Sequence, residues 1–173
     1  DVAPSRGLGD VYKRQVFMYV GLLALTMARH FLGAPVEGKM TPTLWVHLAP
    51  LSVIPLSMLA LLKTTGDASL LRYGSLVAAA FLGAALWWLV LAVSMTIRNR
   101  RQGKLPFALS WWAFVFPIGA CSVLAYRVSE LLALEVLPLV ASGLTLLALF
   151  VWSATALGTV RGIRTGAIFA PAH

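Results

Sequence analysis

Five apolar runs alternate with short polar segments along this 173-residue chain, at about residues 16–32, 43–62, 73–97, 107–126 and 138–160. Each run approaches or exceeds the roughly 20 residues an α-helix needs to cross a hydrocarbon core. The connections ("GAPVEGKM", "KTTGDAS", "RNRRQGK", "RVSELLALE") are short and carry the polar residues. The pattern predicts an all-α, polytopic transmembrane bundle of five spans over residues 16–165, with a C-terminal tail at 166–173. No internal repeat at a fixed short period stands out, and no low-complexity tract.

The second and fourth runs differ from the others. Span two, "TPTLWVHLAPLSVIPLSMLALL", carries Pro50 and Pro55, with Pro42 at its mouth; span four carries Pro117. A proline inside a helix lacks an N–H and frees the carbonyl four residues earlier, here Val46, Leu51 and Ala113. In lipid a freed carbonyl must find a partner, so broken helices belong where protein or water surrounds them. Spans one, three and five have no interior proline. The expected arrangement is therefore alternating, with kinked inner helices lining a space and straight outer helices shielding them. Proline is also simply common in membrane helices, and the pattern alone leaves that plainer reading open.

Composition sharpens the class. The chain is 60% hydrophobic and 12% charged, about half the charge of a typical soluble domain, and its mean hydropathy is +0.85. The net charge of +8 does not suggest nucleic acid, because the aromatic residues lie in the spans and not beside the basic ones. The basic residues follow the positive-inside pattern. Arg29, Lys39, Arg98, Arg100, Arg101, Lys104, Arg161 and Arg164 fall on one side; Lys63, Arg72 and Arg127 fall on the other. This places the C-terminus in the cytoplasm of an integral protein of the bacterial inner membrane. Span one then starts outside, as expected for the trailing part of a longer gene product. Residues 1–15 differ in character from the rest of the chain; they resemble a translated linker and are set aside as a leader outside the fold.

Catalytic chemistry is not encoded in any recognisable pattern. Glu37, Asp67, Glu130 and Glu135 fall in loops or at span edges, and no nucleophile is spaced with a base. The single cysteine, Cys121, can form neither an intrachain disulfide nor, alone, a cysteine metal site. No enzyme activity, cofactor or metal is expected. His47 shares a helical face with Thr43, Pro50 and Ile54. It is either a polar residue of a pore wall, with Thr43, or a histidine bonded to a neighbouring helix.

The densest aromatic stretch is "SWWAFVFPIGA", Ser110 to Ala120. Phe114 and Phe116 are two residues apart on a helix, about 200° around its axis, so they face opposite ways. Phe116 shares its face with Trp112 and the small residues Ala113, Gly119 and Ala120. Phe114 shares its face with Ser110, Trp111, Ile118 and Cys121. Phe116 also precedes Pro117, where α geometry is disfavoured, so the kink is expected there. An apolar ring at a flexible point can block ions by steric closure and dewetting; the same ring can equally serve as a packing joint.

These residues carry a resemblance. "SWWAFVFPIGA" looks like the signature of the tellurite-resistance/dicarboxylate transporter family, which includes slow anion channels and malic acid transport proteins, and "PTLWVHLAP" resembles the motif that opens an earlier helix of that family. The likeness runs from about Val16 to Arg164 and covers roughly the C-terminal half of a family member. It implies half of a ten-helix pore, with spans two and four lining it. It also implies transport of C4-dicarboxylates such as malate, or of small inorganic anions, and assembly as a homotrimer. The family's gating phenylalanine carries over to Phe116. Pro50, Pro55, Pro117, Ala113, Gly119 and Ala120 are then expected to kink or line the pore. Two inner helices cannot close such a ring, so the missing N-terminal half of the same protein becomes an expected partner. The alternative is a non-transporting membrane subunit that supports a partner complex.

Overall fold

The computed structural model describes residues 4–33 and 41–166, with the side chains of residues 4–13, 15, 16, 30 and 31 left aside. Glu37, Lys39 and tail residues 167–173 lie outside the described residues. The chain divides into two units, residues 1–36 and 37–173. The first is one helix, α1 (Pro4–Leu32). Its helix covers predicted span one and runs back through most of the leader. The apolar described part of α1, Phe17–Arg29, is shorter than the four spans after it.

The second unit is a helical bundle. Its elements are α2 (Thr41–Val46), α3 (Leu48–Thr64), α4 (Ala68–Arg101), a 3₁₀ turn (Leu109–Phe114), α5 (Val115–Leu132) and α6 (Leu137–Thr165). They make four stretches long and apolar enough to cross a membrane: Thr41–Thr64, Ala68–Arg101, Leu109–Leu132 and Leu137–Thr165. These overlap predicted spans two to five. Helix boundaries reflect local chemistry. The Asp67 side chain caps α4, accepting from the N–H groups of Ser69 at 2.8 Å and Leu70 at 3.2 Å. Arg98, Arg100 and Arg101 occupy the last turn of α4, where cations complement the helix dipole. Gly103 (φ 66°) then reverses the chain in the left-handed region that glycine adopts freely.

Packing separates the spans into two kinds. In the apolar stretches of Thr41–Thr64 and Leu109–Leu132, 39% of residues are buried; the share falls to 28% in α4 and 11% in α6. The spans that carry Pro50, Pro55 and Pro117 are therefore the most enclosed. α4 packs through Ala78, Leu82, Ala85, Trp88 and Ala92. Alanine at 78, 85 and 92 recurs every seven residues, and small residues let helix backbones approach closely within a membrane. Glycine serves the same end at Gly74, where a Cβ would collide with the Leu62 side chain, and at Gly158, where it would meet the Phe107 ring.

The proline geometry departs from expectation at two places. Pro50 and Pro117 do not interrupt helices. Each is the third residue of a new helix, α3 or α5, where the N–H that proline lacks would have no intrahelical partner in any case. The breaks lie just before them, at His47 between α2 and α3 and at the junction of the 3₁₀ turn with α5. Only Pro55 sits inside a helix.

Candidate functional site: the open faces of the two inner spans

The two inner spans are built alike. Each begins with a six-residue turn, α2 or the 3₁₀ turn, and continues as a longer helix with proline at its third position. A tryptophan stands five residues before that proline in both, at Trp45 and Trp112. In both, its indole N–H donates to a threonine hydroxyl on the next straight helix. Trp45 Nε1 lies 3.0 Å from Thr96 Oγ1 of α4, and Trp112 Nε1 lies 3.2 Å from Thr159 Oγ1 of α6. Each threonine in turn donates to the carbonyl four residues back, Thr96 to Ala92 at 2.7 Å and Thr159 to Thr155 at 2.8 Å. The motif W-x₄-P, 67 residues apart, marks this repeat in the sequence; its spacing is too long to show as a short-period pattern. Trp88, Thr96 and Thr159, the partners on the outer helices, carry no such local mark.

Further bonds secure the first turn. Trp88 Nε1 donates to the Leu44 carbonyl at 2.7 Å, and buried Asn99 Nδ2 donates to Thr41 Oγ1 at 2.6 Å. These bonds place the C-terminal end of α4 beside the start of α2. Trp112–Thr159 likewise places the C-terminal part of α6 beside the 3₁₀ turn. The basic residues Arg98, Arg100, Arg101, Lys104, Arg161 and Arg164 therefore gather at the end of the bundle where both inner spans begin.

Burial divides the aromatic stretch as the 200° separation requires. Phe114 is 4% exposed. Its ring meets Trp45 edge-on at 5.2 Å and Trp111 at 5.8 Å. Phe116 is 64% exposed. One helical turn on, Gly119 and Ala120 are half-buried, and Val123 is exposed, so this stripe of α5 is open. A similar stripe runs along the first inner span through exposed Thr43, Val46, Val53 and Ser57, with Pro50 half-buried among them. Ala113 is half-buried, whereas Pro55 and Pro117 are buried and shape their helices from the packed side. His47 is half-buried, with its ring edge-on to that of Trp88 on α4 at 5.2 Å.

Beside the open stripe of α5 lies an apolar groove of about 450 Å³, bounded by Val115, Gly119 and Val123 of α5 and by Ala148, Leu149 and Trp152 of α6. Ser122 closes its floor, donating to the Ala141 carbonyl at 2.8 Å and lying 2.7 Å from Thr145 Oγ1. Further along α6, Thr155 is fully buried and its hydroxyl has no hydrogen-bond partner among the described residues. A buried unpaired hydroxyl costs roughly 1–3 kcal/mol. Thr155→Val, similar in shape and without that group, is expected to raise the thermal midpoint of the purified protein in detergent. A lower midpoint would show that the hydroxyl is solvated or paired.

Among the described residues no three His, Cys, Asp or Glu side chains cluster as metal ligands. The open stripes are apolar or hydroxyl-bearing, with charge concentrated at the rims. Such a wall can pass an anion only if positive potential is supplied by its ends and by the helix dipoles.

Comparison with known proteins agrees with this architecture. A family model described as voltage-dependent anion channel matches residues 16–160. Two proteins of Methanocaldococcus jannaschii, both described as uncharacterized transporters, are 30% and 29% identical to the chain over 153 residues. Each match covers 88% of this chain but only 44% and 45% of the respective relatives, so the chain spans less than half their length. No solved structure matches the chain.

Proposed function

The chain belongs to the voltage-dependent anion channel family, and from that premise we propose that it forms part of a membrane pore for anions, with Phe116 as the gate. The cargo is a C4-dicarboxylate such as malate, or a small inorganic anion. The open stripes of α2–α3 and α5 supply part of the pore wall. The basic rim of Arg98, Arg100, Arg101, Lys104, Arg161 and Arg164 draws anions toward it from the cytoplasmic side, where the C-terminus also lies. The N-terminal ends of α3 and α5 begin within the spans and add positive partial charge at depth. The N-terminal half of the same protein completes the wall, and the assembly is a homotrimer of an inner membrane.

One observation carries the reading. Two residues after the packed ring of Phe114, Phe116 stands 64% exposed beside Gly119 and Ala120, at the start of α5 where the helix type changes. A packing joint would bury that ring, as Phe114 is buried. The test is reconstitution of the complete gene product in liposomes, measuring efflux of chloride, nitrate, sulfite and malate. Efflux of at least one anion above that of empty liposomes is expected. No flux of any would refute the proposal and favour a supporting subunit.

A further inference from the structure

The tryptophan–threonine bond occurs twice, but only one copy adjoins an exposed ring. With Pro50 aligned on Pro117, Trp45 aligns with Trp112 and Ala49 takes the place of Phe116. We infer that the Trp112–Thr159 bond is a latch that holds the 3₁₀ turn against α6 and thereby sets the position of Phe116; Trp112 and Thr159 are positioning residues for the gate. The inference rests on the gate reading above for its effect on flux.

The geometry supports this in three ways. Trp112 lies one turn before Phe116 on the same open face, so movement of the turn carries the ring with it. The turn is 3₁₀, a geometry with poorer internal hydrogen bonds that tends to mark hinges, so tertiary contacts determine where it sits. Those contacts differ between the two copies. The first turn has three side-chain bonds to α4, from Trp45, Trp88 and Asn99. For the second turn, Trp112–Thr159 is the one side-chain hydrogen bond to α6 among the described residues, since the Trp111 indole donates locally to the Pro106 carbonyl at 3.2 Å. Trp112 is also partly exposed, whereas Trp45 is buried. Beyond the packed ring of Phe114, the second turn thus has a single side-chain hydrogen bond to α6, at the edge of the bundle. A device that releases by breaking one bond fits a gate; a threefold clamp fits a fixed wall.

The experiment uses the complete gene product in liposomes. Thr159→Val and Trp112→Phe are expected to raise anion flux about fivefold, the factor by which loss of one ordinary hydrogen bond shifts a two-state equilibrium. Thr159→Ser, which keeps the hydroxyl, should retain wild-type flux. Thr96→Val removes the equivalent bond at the site without a ring and should leave flux unchanged. A second readout is independent of transport. In a Cys121→Ala background, the thiol of a Phe116→Cys variant should react with a water-soluble maleimide at a rate that changes about fivefold when Thr159→Val is added. An unchanged rate overturns the latch, even if Phe116→Ala alone raises flux and the gate stands. A changed rate with flux insensitive to Phe116→Ala keeps the latch and sinks the gate. Equal effects of Thr96→Val and Thr159→Val on flux would also overturn it, because the bond would then be a general support.

Discussion

Phe116→Ala is expected to raise anion flux through the reconstituted protein by about tenfold, the increase produced if the ring contributes roughly 1.4 kcal/mol to the barrier. The effect is steric. The ring is 64% exposed on a stripe whose next turn offers only Gly119 and Ala120, so no neighbour on α5 replaces the lost volume. Alanine there widens the path and removes an apolar surface that favours dewetting. Phe114→Ala is the control. That ring is packed between Trp45 and Trp111, and its removal leaves a cavity costing about 3–5 kcal/mol. It should lower the thermal midpoint without a matching rise in flux. Liposome efflux and a thermal scan on both variants separate the roles. Unchanged flux for Phe116→Ala, with the protein intact, removes Phe116 from the gate.

The largest loss of stability is expected at Trp88. This side chain is 1% exposed and makes two contacts that join α4 to the first inner span: the 2.7 Å bond to the Leu44 carbonyl and the edge-on stack with His47. Trp88→Ala deletes both and opens a cavity, for a loss of about 3–5 kcal/mol. Trp88→Phe keeps much of the ring but leaves a buried carbonyl without that donor, at about 1–3 kcal/mol. Water is not available in the bilayer to make up the difference. The neighbouring Trp87 is 49% exposed, and Trp87→Ala should cost far less. Thermal unfolding in detergent gives the ranking Trp88→Ala, then Trp88→Phe, then Trp87→Ala. Equal midpoints for the alanine variants would mean that α4 is not held to α2 through this residue.

The helical runs were legible along the chain, because backbone polar groups in lipid must be satisfied within the segment. A long apolar run then leaves helix as the natural answer whatever its neighbours do. The opposite exposure of Phe114 and Phe116 was legible for a similar reason, since two residues on one helix are separated by a set angle. The greater enclosure of spans two and four came from where proline breaks can be tolerated. Other features depended on contacts between residues far apart in sequence. Pro50 and Pro117 lie in the first turns of their helices instead of bending them, and the turns before them carry tryptophans that bond to α4 and α6. Trp45 pairs with Thr96, and Trp112 with Thr159, across 51 and 47 residues; no local rule selects those threonines. The His47 ring likewise meets that of Trp88. Local periodicity decides which residues share a face, since it depends only on helix geometry. Which face is packed and which is left open depends on what lies beside the helix, and that is settled only when the spans assemble.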